Sequence, residues 1–163
     1  MLEIIYSLLF IELLGLFIFP ITFSVFWKLP DRGYSFSKLL SLILWVYLIW
    51  ILGSFNANLN LQVASSIILI IFGIISFVNL YYNYRYILNY LKKNLTMVFL
   101  FDLCFILVFA CWIFIRNLDP SIYHTEQIMD FTILNSVMNY SYYPPQDLWF
   151  SGNHINYYYY GYL

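Results

Sequence analysis

Four of the chain's eight acids and both of its histidines fall within residues 116–161: Asp119, Glu126, Asp130 and Asp147, with His124 and His154. Carboxylates and imidazoles are the side chains that most often move protons in catalysis. Glu126 and Asp130 are four apart, so a helix would place them on one face, about 6 Å apart along its axis. Three readings of the pair stay open. They are acids in the first turn of a helix, exposed to water and partly offset by the helix dipole. Alternatively, Glu126 is a general base at the lip of a membrane cavity, taking the proton of a hydroxyl acceptor. Or the acids and His124 hold a hard divalent cation.

A second feature follows at once, YPPQDLWFSGNHINYYYYG. Pro-Pro and Ser-Gly give the loop structure. Asp147, Trp149, His154 and Asn156 supply the aromatic faces and polar groups that suit a carbohydrate. The same stretch also suits an interfacial aromatic belt, with the tyrosines of 157–160 at headgroup depth.

The elements that must position these residues are apolar. The 163-residue chain is 63% hydrophobic and 9% charged, against about half and a quarter for a soluble domain. A chain of this length cannot hide so much apolar surface from water, so lipid is its solvent. The net charge of −1 and the lack of a basic patch exclude nucleic acid as a partner. Cys104 and Cys111 lie roughly 10 Å apart along one helix, beyond disulfide reach.

Apolar runs at 4–26, 39–55, 61–80 and 96–115 predict four membrane spans. The first lacks the basic start and small-residue cleavage site of a signal peptide. Pro30 and Gly33 break the chain after it. The first and third connectors hold six of the seven Lys and Arg, Lys38 among them, and the second holds none. Basic loops stay in the cytoplasm. The expected protein is therefore integral to the cell membrane, with its N-terminus and its C-terminal acidic segment extracytoplasmic.

After the fourth span, Thr125 is placed to cap a helix with Glu126 in its first turn. The apolar stretch 128–138 continues that helix along the outer membrane surface, and Pro144 and Pro145 end it. The fold class is all-α. A three-helix membrane region at 1–95 precedes a fourth span and outer acidic and aromatic segment at 96–163. Glu12 and Asp102 fall inside the first and fourth spans, where carboxylates are costly and often functional. They would be neutral groups bonded to a neighbouring helix, side chains reaching the interface, or the polar path of a transporter or flippase.

Three stretches, HTEQIMDFTILN at 124–135, YPPQDLWFSG at 143–152 and INYYYYG at 155–161, carry a resemblance. In that order they resemble the uncharacterised bacterial and archaeal membrane proteins known as the YYY family. That pattern has a basic residue where Gln127 stands and a proline where Leu148 stands. The family in turn looks like a distant relative of the GT-C glycosyltransferases, multi-span enzymes that use lipid-phosphate-linked sugars on the outer membrane face. The resemblance implies transfer of a sugar from a polyprenyl-phosphate donor, with Glu126 as catalytic acid position and Asp130 second. His124, Asp147, Trp149, His154, Asn156 and Tyr158 would hold acceptor, sugar or a divalent cation. It implies further spans after Leu163, so that this chain is the front part of such an enzyme. The alternative is a non-enzymatic membrane protein, either a transporter or a structural assembly subunit.

Overall fold

A computed structural model describes residues 2–55, 60–123, 126–140, 142, 144–150, 152–156 and 159–163. The described residues form helices, with no strand beyond one isolated bridge between Gln146 and His154. Four helices are long and apolar enough to cross a bilayer: α1 (Leu2–Val25), α2 (Tyr34–Phe55), α3 (Leu61–Lys93) and α4 (Leu95–Leu118). The shorter α5 (Gln127–Asn139) follows, and a 3-10 turn at Tyr159–Tyr162 ends the chain. The all-α membrane architecture is as expected from the apolar runs.

Two boundaries differ from the expected ones. The helix α2 begins at Tyr34, so Lys38 lies inside a span and not in the connector before it. The helix α3 runs on through the tyrosine-rich stretch to Lys93, and only Asn94 separates it from α4. Its 33 residues amount to about 50 Å, against a hydrocarbon core of about 30 Å. Asn60 starts α3 by accepting the N–H groups of Gln62 (2.9 Å) and Val63 (3.3 Å) on its side-chain oxygen.

The contacts divide the chain into two units. The first is Met1–Ile43 with Ile70–Leu118, and the second is Leu44–Leu69 with Asp119–Leu163. Both α2 and α3 therefore contribute residues to each unit.

In the first unit α1 is the central partner. Phe19 and Phe23 from α1, Tyr34 from α2 and Ile87 from α3 form a buried cluster, with Val98 of α4 against it. The Phe19 and Tyr34 rings meet edge to face at 5.1 Å. The helices α1 and α3 approach closely, because Gly73 has no side chain to hold off the Phe17 ring and the Ser76 hydroxyl donates to the Phe17 carbonyl. Among the described residues of α4 none is buried.

The turn between α1 and α2 needs two left-handed residues, Arg32 (φ 53°) and Gly33 (φ 77°). A Cβ at Gly33 would also lie 3.1 Å from Thr22 and Phe26. Asp31 closes the turn. Its carboxylate accepts the Ser35 hydroxyl (2.5 Å) and the N–H groups of Ser35 (3.0 Å) and Gly33 (3.2 Å). Burial, the largest single influence, pushes its pKa up, but these hydrogen bonds together outweigh it and hold the carboxyl below its ordinary value of 3.8. A depressed folded-state pKa means that Asp31 stabilises the fold above its unfolded value, and that this contribution fades as pH falls through the folded one. Asp31→Ala should lower stability at pH 7 by about 1 kcal/mol, as for other lost caps. Thermal unfolding of variant and parent should converge as the pH is taken down through the acid range.

In the second unit, Ile49 of α2 and Ala64 and Ile68 of α3 are buried, as are Ile133 and Ser136 of α5 and Ile155 of the aromatic loop. The side of α5 away from Ile133 exposes Ile128, Phe131, Leu134 and Met138. These recur every three or four residues, so they form one apolar stripe.

Candidate functional site

The candidate site residues that the structure describes all lie in the second unit. Glu126 occupies the N-cap position of α5, one residue before the expected first turn, with helical φ and ψ (−85°, −11°). Its side chain makes no capping hydrogen bond and is exposed. Its backbone carbonyl accepts the Asp130 N–H at 2.9 Å. Beside it, the Gln127 side-chain oxygen is buried with no hydrogen-bond partner among the described residues, which is costly unless something donates to it. His124, Thr125 and Tyr158 lie outside the described residues.

Asp130 is partly buried and accepts the Tyr162 hydroxyl at 2.5 Å. That bond ties the terminal 3-10 turn to α5, so Asp130 holds the segment together and Glu126 is the carboxylate left facing outward.

The loop after α5 is built by its own polar groups. The Ser136 hydroxyl donates to the Gln146 carbonyl. The Ile155 N–H donates to the Pro145 carbonyl at 2.9 Å, and the Asp147 N–H to the Asn153 carbonyl at 2.8 Å. Asp147 Oδ1 accepts the N–H groups of Trp149 (2.8 Å) and Phe150 (3.0 Å), an Asx turn. His154 Nδ1 sits 2.8 Å from the Pro144 carbonyl. A carbonyl only accepts, so Nδ1 carries the hydrogen and Nε2 is the ring atom left for a ligand. Two of the expected sugar-binding groups, Asp147 and His154, thus each use one atom to shape the loop.

Two cavities flank these residues. One of about 560 Å³ is lined by Tyr47, Trp50, Asn156, Tyr159 and Tyr160. Trp50 anchors it: its indole N–H donates to the Tyr159 hydroxyl at 3.3 Å, and its ring meets that of Tyr160 edge to face at 5.9 Å. The other, about 120 Å³, lies under α5 and includes Thr132, Asp147 and Trp149. Asn156 thus joins the larger cavity, and Asp147 and Trp149 join the smaller. Tyr47 and Trp50 were not expected, because on the sequence they are ordinary aromatic residues of a span. Among the described residues no group of three or more His, Cys, Asp or Glu could hold a metal ion. The cation reading that includes His124 falls outside them.

The first unit holds a constellation that the sequence concealed. The Lys38 ammonium, on α2, lies 2.8 Å from Glu12 Oε1 of α1 and 2.8 Å from Asp102 Oδ1 of α4. The Tyr34 hydroxyl donates to Asp102 Oδ2 at 2.8 Å. The Lys38 ammonium also sits 4.5 Å from the centre of the Phe105 ring. Its side chain is 9% exposed, so the charge is withdrawn from the basic connector where the sequence reading put it. Glu12 and Asp102 are each bonded to a neighbouring helix, but as the two partners of one lysine in ion pairs and not as the neutral groups expected. Gly15 makes the room: a Cβ there would lie 2.5 Å from Lys38 Cγ and 3.3 Å from its Cα. The lysine is pinned at its far end and cannot swing away. Gly15→Ala should therefore cost about 1–3 kcal/mol, as overpacking does, read as a lower midpoint of thermal unfolding in detergent.

No curated protein and no solved structure matches the chain. DUF2298, a family described as an uncharacterized membrane protein, matches residues 44–163. That match takes in the whole acidic and aromatic segment after α4 and most of the chain. The chain belongs to the DUF2298 family of membrane proteins.

Proposed function

We propose that this chain supplies the extracytoplasmic segment of a GT-C-like membrane glycosyltransferase, which moves a sugar from a polyprenyl-phosphate donor to an acceptor hydroxyl or amide. The observation that carries the reading is the cavity of Tyr47, Trp50, Asn156, Tyr159 and Tyr160, in the same unit as the outward carboxylate of Glu126. Apolar walls with a few placed polar groups are the usual make-up of a small-molecule site. Aromatic faces take the C–H faces of a sugar ring, while the Asn156 amide and the tyrosine hydroxyls meet its hydroxyl groups. Glu126 accepts the acceptor's proton as general base. Asp130 positions α5 through Tyr162. Asp147, Trp149 and His154 Nε2 lie on the loop that borders the acceptor.

The test is transfer of radiolabelled sugar from polyprenyl-phosphate donors by membranes containing the full-length protein. Transfer is expected for at least one donor, and failure with a panel covering the common hexoses sinks the reading. Sidedness is tested separately with a cysteine at position 126. It should react with an impermeant reagent in sealed, right-side-out cells.

A second reading, transport, is favoured by the meeting of Lys38, Glu12 and Asp102 within three spans, since ionisable groups there often mark a path. Glu12→Gln and Asp102→Asn in the full-length protein distinguish the two. The enzyme reading expects transfer per folded molecule to be unchanged, and the transport reading expects uptake to be lost.

A further inference from the structure

The basic end of the first unit carries a second polar site, independent of the sugar-transfer reading. Along α3, Asn79, Asn83, Tyr86, Tyr90 and Lys93 follow one another at spacings of four, three, four and three. That spacing puts them in one stripe, a polar line on a helix that otherwise suits lipid. The turn between α1 and α2 lies against this stripe. The Tyr90 hydroxyl donates to the Pro30 carbonyl at 3.1 Å.

Two cavities open between turn and stripe, about 470 Å³ and 410 Å³, and they share Trp27, Arg32 and Tyr90. The first reaches Asn79 and Asn83, the second Lys93 and Asn94. Arg32 is therefore the charged residue common to both halves. Its guanidinium lies 5.2 Å from the centre of the Phe23 ring, and among the described residues it forms no ion pair. It stands at φ 53°, a conformation that costs a non-glycine residue about 1 kcal/mol or more. An arginine kept where glycine fits better, beside two cavities and in no ion pair among the described residues, is a site for an anion.

The asparagines say what the anion is attached to. Asn79 and Asn83 donate their amide nitrogens to helix carbonyls, those of Ile75 (3.0 Å) and Asn79 (3.2 Å). Their side-chain oxygens are thereby left as acceptors. Such a pocket takes a phosphate at Arg32, with Lys93 as second cation, and a hydrogen-bond donor at the asparagines. We infer that this end of the first unit binds the phosphate of a hydroxyl- or ammonium-bearing headgroup, at the membrane surface where basic residues attract anionic lipid. Arg32 makes the bidentate contact, and Asn79 and Asn83 select the polar headgroup.

The test uses the purified chain in detergent and counts bound dioleoyl phosphatidylglycerol by native mass spectrometry, with inorganic phosphate as a separate probe. Arg32→Gly suits the left-handed backbone, so it removes the guanidinium without straining the turn. Asn83→Leu blocks the headgroup side. Arg85→Gly removes an exposed cation outside both cavities. One lipid per chain is expected, bound at least ten-fold more weakly by Arg32→Gly and by Asn83→Leu than by Arg85→Gly. Arg32-dependent binding of inorganic phosphate alone also supports the anion site, but assigns it to a soluble phosphate compound. Equal weakening by Arg32→Gly and Arg85→Gly, or no binding of either probe, overturns the inference.

Discussion

Lys38→Met should cost the protein about 3–5 kcal/mol, the usual consequence of removing one partner from a buried ion pair. The reason is the imbalance it leaves. Glu12 and Asp102 both direct an oxygen at the one ammonium, each at 2.8 Å. Without it, two carboxylates in neighbouring spans must take up protons or repel one another in a medium of low dielectric. The loss should appear as a lower thermal midpoint in detergent and lower yield from membranes. A triple variant, Glu12→Gln with Lys38→Met and Asp102→Asn, should recover most of it, because neutral groups of similar shape leave no charge stranded. Asp102→Asn also keeps an acceptor for the Tyr34 hydroxyl. If Lys38→Met alone unfolds at the parent's temperature, the triad is not what fastens α1, α2 and α4 together.

Glu126→Gln should lower sugar transfer by the full-length protein by about 10²–10⁴-fold, the range that general base catalysis supplies. Stability should stay within about 0.5 kcal/mol, as for other exposed side chains, since Glu126 stands at the N-cap position but its side chain makes no capping hydrogen bond. The two readouts separate cleanly because Glu126 is not tied down. Asp130→Asn is the instructive contrast. Asp130 accepts the Tyr162 hydroxyl, so its loss should loosen the terminal turn and raise KM more than it lowers kcat. Wild-type transfer by Glu126→Gln would remove the assignment.

The apolar spans were legible because hydrocarbon runs have a length that only lipid explains. The ends of those spans were not. Lys38 was read as loop because a cation beside an apolar run usually faces water, and nothing in YSFSKLL signals that Gly15 lies opposite with space for it. The tyrosine-rich stretch after Leu80 looked like a connector by residue type, yet it contains no Gly or Pro to stop α3. In the segment after α4, α5 was readable from its apolar pattern, although it ends at Asn139, ahead of the paired prolines. The separation of Glu126 from Asp130 was not, because it depends on Tyr162, thirty-two residues further along. Likewise, Asp147 and His154 carry groups that suit a ligand, but which of their atoms shape the loop is decided by carbonyls and N–H groups that no residue type reveals.

The ion triad also bears on how the protein enters its membrane. Glu12 and Lys38 belong to consecutive helices, so the first hairpin can leave the insertion machinery as a neutral pair instead of two separate charges in oil. Asp102 arrives sixty-four residues later and brings one negative charge more than the lysine can cancel. Partitioning of α4 into lipid therefore depends on the earlier hairpin already being in place, so that biogenesis of this bundle has a built-in order, with the fourth helix admitted after the first two.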